Sequence, residues 1–245
     1  MRRKILIWSL YFALWQGIAM VVNQAVILPS FTDVFVRLIQ HLSQSTLYIN
    51  LFYTLFRVII GTVIAFVLSL SFALLSYDFK WIKQALNPLI LISKTIPNIT
   101  YILLVLIWFS RELSVLFVTI LILFPVLYNQ ISISLMEINP ELLELLKLYP
   151  ETYYYRLIKV ILPLIKISLF EGIKGALSLG FKVGVMAEIL GQVQPGLGYL
   201  MHIARMNFET VDLFAYTAIM IIVVILIEKT MDHFKTLSKV KEILK

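Results

Sequence analysis

Cysteine is absent from this chain and charge is scarce: only 14% of its 245 residues are Asp, Glu, Lys or Arg. Without a thiol there is neither a disulfide framework nor a thiolate metal site. Three histidines, His41, His202 and His233, stand outside any H-E-x-x-H pattern, so no metal centre is expected. No G-x-x-x-x-G-K-S/T phosphate loop occurs, which argues against ATP hydrolysis by this chain. A Ser/His/Asp constellation cannot be assembled within the membrane either, so an intramembrane hydrolase is disfavoured. Soluble domains carry about a quarter charged residues. The shortage here, with 60% hydrophobic residues and a mean hydropathy of +0.93, marks a membrane protein. The net charge of +7 is then read as a topology signal and not as a nucleic-acid footprint.

What the chain does contain is long apolar runs. A helix needs about 20 apolar residues to cross ~30 Å of hydrocarbon. Six stretches qualify, at 5–22, 49–75, 88–109, 113–135, 163–190 and 210–228. Open strands would leave backbone groups unsatisfied in lipid, so the expectation is an all-α polytopic protein forming one transmembrane domain over 1–245. The opening MRRKILIWSLYFALW resembles the start of a secretory leader. No small-residue cleavage site follows, and a retained first helix is expected. No internal repeat is evident.

Loop charges orient the chain. With the amino terminus inside, the cytoplasmic parts hold Arg2, Arg3, Lys4, Lys80, Lys83, Lys147, Arg156, Lys159, Lys229, Lys235, Lys239, Lys241 and Lys245. The external loops hold Arg37, Arg111 and Arg205, giving 13 against 3. Both termini are thus expected in the cytoplasm of a multi-pass cell-membrane protein. The basic carboxyl-terminal tail reads either as a solvated topology signal or as a lipid-headgroup contact. On the external side, Val34, Leu38 and Leu42 recur at helical spacing opposite Asp33, Arg37 and His41, which predicts a short interfacial helix with His41 on its polar face.

Residues 140–163 interrupt the apolar pattern inside the cytoplasm. Pro140 suits a first helical turn, where Glu141 and Glu144 meet the positive end of the helix dipole. Leucines at 142, 143, 145, 146 and 148 make one side strongly apolar, and Pro150 breaks or bends the helix. A second short helix over about 151–161 leads to Pro163. Spacing alone leaves two readings, a loop resting on headgroups or an element gripped by a partner.

The segment resembles the cytoplasmic signature of ABC importer permeases, E-A-A-x3-G-x9-I-x-L-P. Glu144-Leu145-Leu146, three residues, Pro150, nine residues and Val160-Ile161-Leu162-Pro163 fit it without a gap. Leu145 and Leu146 replace alanines, and Pro150 replaces the glycine. Further stretches are similar to the nitrate/sulfonate/taurine branch: Leu28-Pro29-Ser30, Thr54-Leu55-Phe56-Arg57-Val58, Lys94-Thr95-Ile96-Pro97, Gly172-Ile173-Lys174, Ala187-Glu188 and Gly196-Leu197-Gly198-Tyr199. The resemblance implies a type I ABC importer permease fold of about six helices and no catalysis by this chain. It also implies a cytosolic ABC ATPase dimer that carries the ATP and docks on 140–163, helix in groove. A second permease subunit, identical or not, and an extracytoplasmic substrate-binding protein would complete the assembly. No cofactor is expected on the chain itself, and membrane lipid is the remaining partner. Nitrate, alkanesulfonates, taurine and thiamine or flavin precursors are the candidate cargoes.

The fifth membrane segment carries the most information. Gly172, Ala176, Gly180, Gly184 and Glu188 recur every four residues, a spacing that lets another helix approach closely. Glu171, Lys174 and Lys182 lie on a separate face, and charges inside a membrane usually face a bundle interior or a water-filled path. Glu171 and Lys174 either pair at i, i+3 or line that path. Lys182 is the deeper candidate, and Glu188 reads as a gate or structural cap. Lys166, near the cytoplasmic end, can snorkel. Arg57 and Lys94 complete the pathway candidates, with Pro97 expected to kink the helix that follows Lys94. An ion-gradient-driven secondary carrier is the alternative; it would show inverted repeats and discontinuous helices around a midplane site.

Overall fold

The computed structural model describes residues 2–142, 144 and 152–243, all helix and connection without a strand. In chain order the helices are α1 (Arg2–Val22), α2 (Phe31–Leu42), α3 (Ser45–Asp78), α4 (Lys80–Thr95), α5 (Asn98–Trp108) and α6 (Arg111–Met136). They continue with α7 (Tyr153–Arg156), α8 (Leu162–Gly191), α9 (Leu197–Met206) and α10 (Thr210–Ile243). A π-helical turn, Leu157–Ile161, joins α7 to α8. The protein is an all-α, polytopic membrane protein. Among the described residues three helices are long and apolar enough to cross a membrane, α3, α6 and the Thr210–Lys235 part of α10, or four if the bent pair α4–α5 is one span. In α1 the apolar helical stretch is Ser9–Val22. The 30 residues of α8 include five charged ones, Lys166, Glu171, Lys174, Lys182 and Glu188.

The stretch 88–109, expected as one kinked span, is instead two helices meeting at 105°. Pro97 offers no N–H and forces its predecessor out of the helical region. Ile96 accordingly sits at φ −75°, ψ 128°, and Pro97 at φ −59°, ψ 139°. Pro125 inside α6 produces no such break.

The chain divides into two compact units. One comprises Met1–Phe56 and Val185–Leu226. Within it, the Ser30 hydroxyl accepts from the Asp33 amide and caps α2. The Trp15 indole donates to Pro29 O at 3.1 Å, and the Phe12 and Phe31 rings lie 4.5 Å apart, joining α1 to α2. The short helix expected within 27–45 is present as α2, but His41, expected on its polar face, is buried in this unit.

The other unit comprises Arg57–Gly184 and Ile227–Lys245. One of its apolar clusters gathers Ala73, Ile90, Tyr128, Ile131, Leu135, Ile138, Ile161 and Ile165, with Leu142 and Leu162 packed against it. The small-residue stripe of α8 supplies close packing here. Gly172, Ala176, Gly180 and Gly184 are all buried. A Cβ on Gly180 would come within 3.0 Å of Leu123, and one on Gly184 within 2.5 Å of Val58 Cγ2. The stripe is what lets α8 lie this close to α3 and α6.

Candidate functional site

The flanks of the 140–163 segment converge on one core. Ile138 and Leu142 enter the cluster on the amino-terminal side, and Ile161, Leu162 and Ile165 on the carboxyl-terminal side. Glu144 is helical and exposed, as is Pro163. Leu145, Leu146 and Pro150 lie outside the described residues, so the Pro150 bend is not on view. The arrangement is a charged segment whose two ends are seated in the apolar packing of α3, α4, α6 and α8. A force applied to such a segment reaches those helices through stiff, close-packed side chains.

The charged residues of the membrane helices separate into three groups. In the first, α8 and α10 face one another with a polar ladder. Lys174 Nζ donates to Asp232 Oδ1 at 2.6 Å, Lys235 Nζ donates to Glu171 Oε1, and the Ser178 hydroxyl donates to Glu228 Oε1 at 3.2 Å. Glu171 and Lys174 therefore reach across to α10, not toward each other. On α10 the partners fall at 228, 232 and 235, a helical stripe matching 178, 174 and 171 in antiparallel order.

In the second group the charges are withdrawn from solvent. Arg57 is buried, with Glu112 Oε1 4.0 Å from its Nη2. Glu188 has no exposed surface. Its Oε2 accepts from the Thr54 hydroxyl at 2.8 Å and from the Gly198 amide at 3.0 Å. Asn50 Oδ1 takes the Gly196 amide at 2.7 Å, and Thr54 Oγ1 takes the Leu197 amide at 2.8 Å. Sequence reading had singled out neither Asn50 nor the Thr54 hydroxyl; their i, i+4 spacing on α3 was the available signal.

The third group is exposed. Lys182 on α8 and Lys94 on α4 both reach the surface, and neither makes an ion pair among the described residues. Lys166 is exposed as well. A second buried acid was also missed by sequence reading. Asp212, in the first turn of α10, takes His41 Nε2 at 2.6 Å and Arg37 Nε at 3.2 Å on the same oxygen. Tyr216 stacks on His41 at 4.5 Å. No group of His, Asp and Glu that could hold a metal occurs among the described residues.

A helical chain with a seated cytoplasmic-type segment and charged membrane helices matches one known family over residues 58–237, the binding-protein-dependent transport system inner membrane component. The chain belongs to that family. This permease is 30% identical over 213 residues to the riboflavin transport system permease protein of Chloroflexus aurantiacus, covering 85% of this chain and 78% of the relative. It is 27% identical over 212 residues to the formylaminopyrimidine transport permease protein of Halalkalibacterium halodurans, covering 86% and 84%. A Bacillus subtilis protein named for aliphatic sulfonates transport is 25% identical over 242 residues, covering 98% and 86%. The permease is thus an ABC importer component and a multi-pass membrane protein.

Proposed function

We propose that this permease forms, with a second permease subunit, the pathway by which a small organic or anionic nutrient enters the cell. Both termini face the cytoplasm in this reading, which the 13 to 3 distribution of loop charge favours. A cytosolic ATPase pair binds the ATP and grips residues 140–163, while an extracytoplasmic binding protein delivers the cargo. The chain itself holds no cofactor and performs no catalysis. The observation that carries the reading is the seating of both flanks of 140–163 in one cluster. Closure of the ATPases moves that segment, and the cluster passes the movement to α3, α4, α6 and α8.

Within the pathway, Lys182 and Lys94 are the charges available to cargo, being exposed and without an ion pair among the described residues. Glu171 and Lys174 serve the α8–α10 ladder. The names of the relatives supply the cargo classes to try first: sulfonates, riboflavin-like flavins and formylaminopyrimidine. A carrier driven by an ion gradient is favoured by one observation, the broken α4–α5 pair. Its other mark, an inverted repeat, is missing from the sequence. Substitution Glu144→Lys reverses an exposed charge on the gripped segment. The expected result is loss of ATPase co-purification with unchanged membrane insertion; normal assembly and uptake would remove the coupling role.

A further inference from the structure

Thr54, the Ala187-Glu188 pair and the Gly196-Leu197-Gly198 turn are remote in sequence, with Thr54 and Glu188 134 positions apart, yet they converge on one carboxylate. The amides of Gly196, Leu197 and Gly198 begin α9 and have no partner inside the helix. Asn50, Thr54 and Glu188 take them one by one. Two glycines are needed, Gly196 because the acid is there and Gly198 because the α8 backbone is. A Cβ on Gly196 would lie 2.6 Å from the Glu188 carboxyl carbon, and one on Gly198 would lie 2.5 Å from both Glu188 Cβ and Val185 O. The connection closes on Glu188 a second time, where the Val193 amide donates to its carbonyl at 3.1 Å. Gln192 is held at φ 52°, a conformation that residues with a side chain keep only where their surroundings over-determine it.

We propose that Glu188 is a positioning residue, a built-in anion that fixes the α8–α9 connection and the amino end of α9. An apolar side chain of the same volume would fill the space but would leave both the Thr54 hydroxyl and the Gly198 amide without the oxygen that accepts from them. The positive end of the α9 dipole adds a preference for negative charge at this place. The connection then presents Gln192 and Gln194, both exposed, in a single arrangement. Resting on the permease reading, that arrangement is a fixed wall of the external end of the pathway.

The cysteine-free chain allows a direct test. Val193 is 1% exposed, and Ala73, in the other unit, is also 1% exposed. Single variants Val193→Cys and Ala73→Cys of the full-length permease, purified in detergent, are reacted with a maleimide. Both label slowly in the parent background. Adding Glu188→Ala speeds labelling at 193 by about a hundredfold, the worth of two buried donors left without an acceptor, and leaves position 73 protected. Thr54→Val, of nearly the same shape, speeds labelling at 193 in the same direction, whereas Thr54→Ser leaves it slow. Added formate restores slow labelling in Glu188→Gly but not in Thr54→Val. An unchanged rate at 193 in Glu188→Ala, rates rising together at 193 and 73, or rescue of both variants or neither would overturn the assignment. These measurements need no partner chain, so they succeed or fail independently of whether an ATPase grips residues 140–163.

Discussion

In the unit of Met1–Phe56 and Val185–Leu226, the acids Glu188 and Asp212 are buried and held by hydroxyl, amide, imidazole and guanidinium donors. In the unit of Arg57–Gly184 and Ile227–Lys245, the Glu171 side chain is 43% exposed and the Asp232 side chain 56%, each opposite a lysine. A buried carboxylate tolerates one arrangement, because any donor it loses cannot be replaced by water. An exposed pair exchanges its partner for water at little cost. The first unit is therefore built to keep one geometry. The second has a helix-to-helix ladder that can be remade as the helices move, which suits the half of the chain carrying the 140–163 segment.

The comparison can be broken most severely at Gly198. Its Cβ would meet backbone, Val185 O at 2.5 Å and Ile189 N at 2.9 Å, besides Glu188. Gly198→Ala should cost about 3 kcal/mol, seen as a lowered thermal midpoint of the purified permease. Asp212→Asn should come next, at about 2 kcal/mol, since the buried His41 and the exposed Arg37 lose the charge they share. Gly175 sits on the exposed face of α8 with nothing within 4 Å of an added Cβ. Gly175→Ala should raise stability slightly, by about 0.5–1 kcal/mol, through helix propensity alone. The smallest effect is expected in the ladder: exchanging charges by Glu171→Lys with Lys235→Glu should leave the thermal midpoint where it is. A large loss on that exchange would show the ladder to be as fixed as the Glu188 cradle and would erase the contrast.

Periodicity made much of the architecture readable. Apolar length found α3, α6 and the membrane part of α10, and four-residue spacing found the packed stripe from Gly172 to Gly184. Pro97 announced a disturbance but not its size, because whether a proline bends or breaks a helix depends on what packs on either side; Pro125 leaves α6 whole. Partners remote in sequence were not readable. His41 and Asp212 are 171 positions apart, and Lys174 and Asp232 are 58 apart. A polar residue on an amphipathic helix looks the same in sequence whether it meets water or a buried acid, and His41 meets the acid. The pairing of Glu171 and Lys174 stayed open for the same reason, since an i, i+3 neighbour is visible in sequence and a helix across the bundle is not.

We propose that ATP, through a partner chain seated on residues 140–163, drives import. The most direct test is uptake into proteoliposomes containing the permease with its co-purified ATPase and binding protein, with the cargo classes named above as labelled probes. ATP on the ATPase side should drive accumulation that survives ionophores collapsing every ion gradient, and Glu144→Lys should abolish it. Accumulation by the permease alone, driven by an ion gradient and indifferent to ATP, would contradict the account.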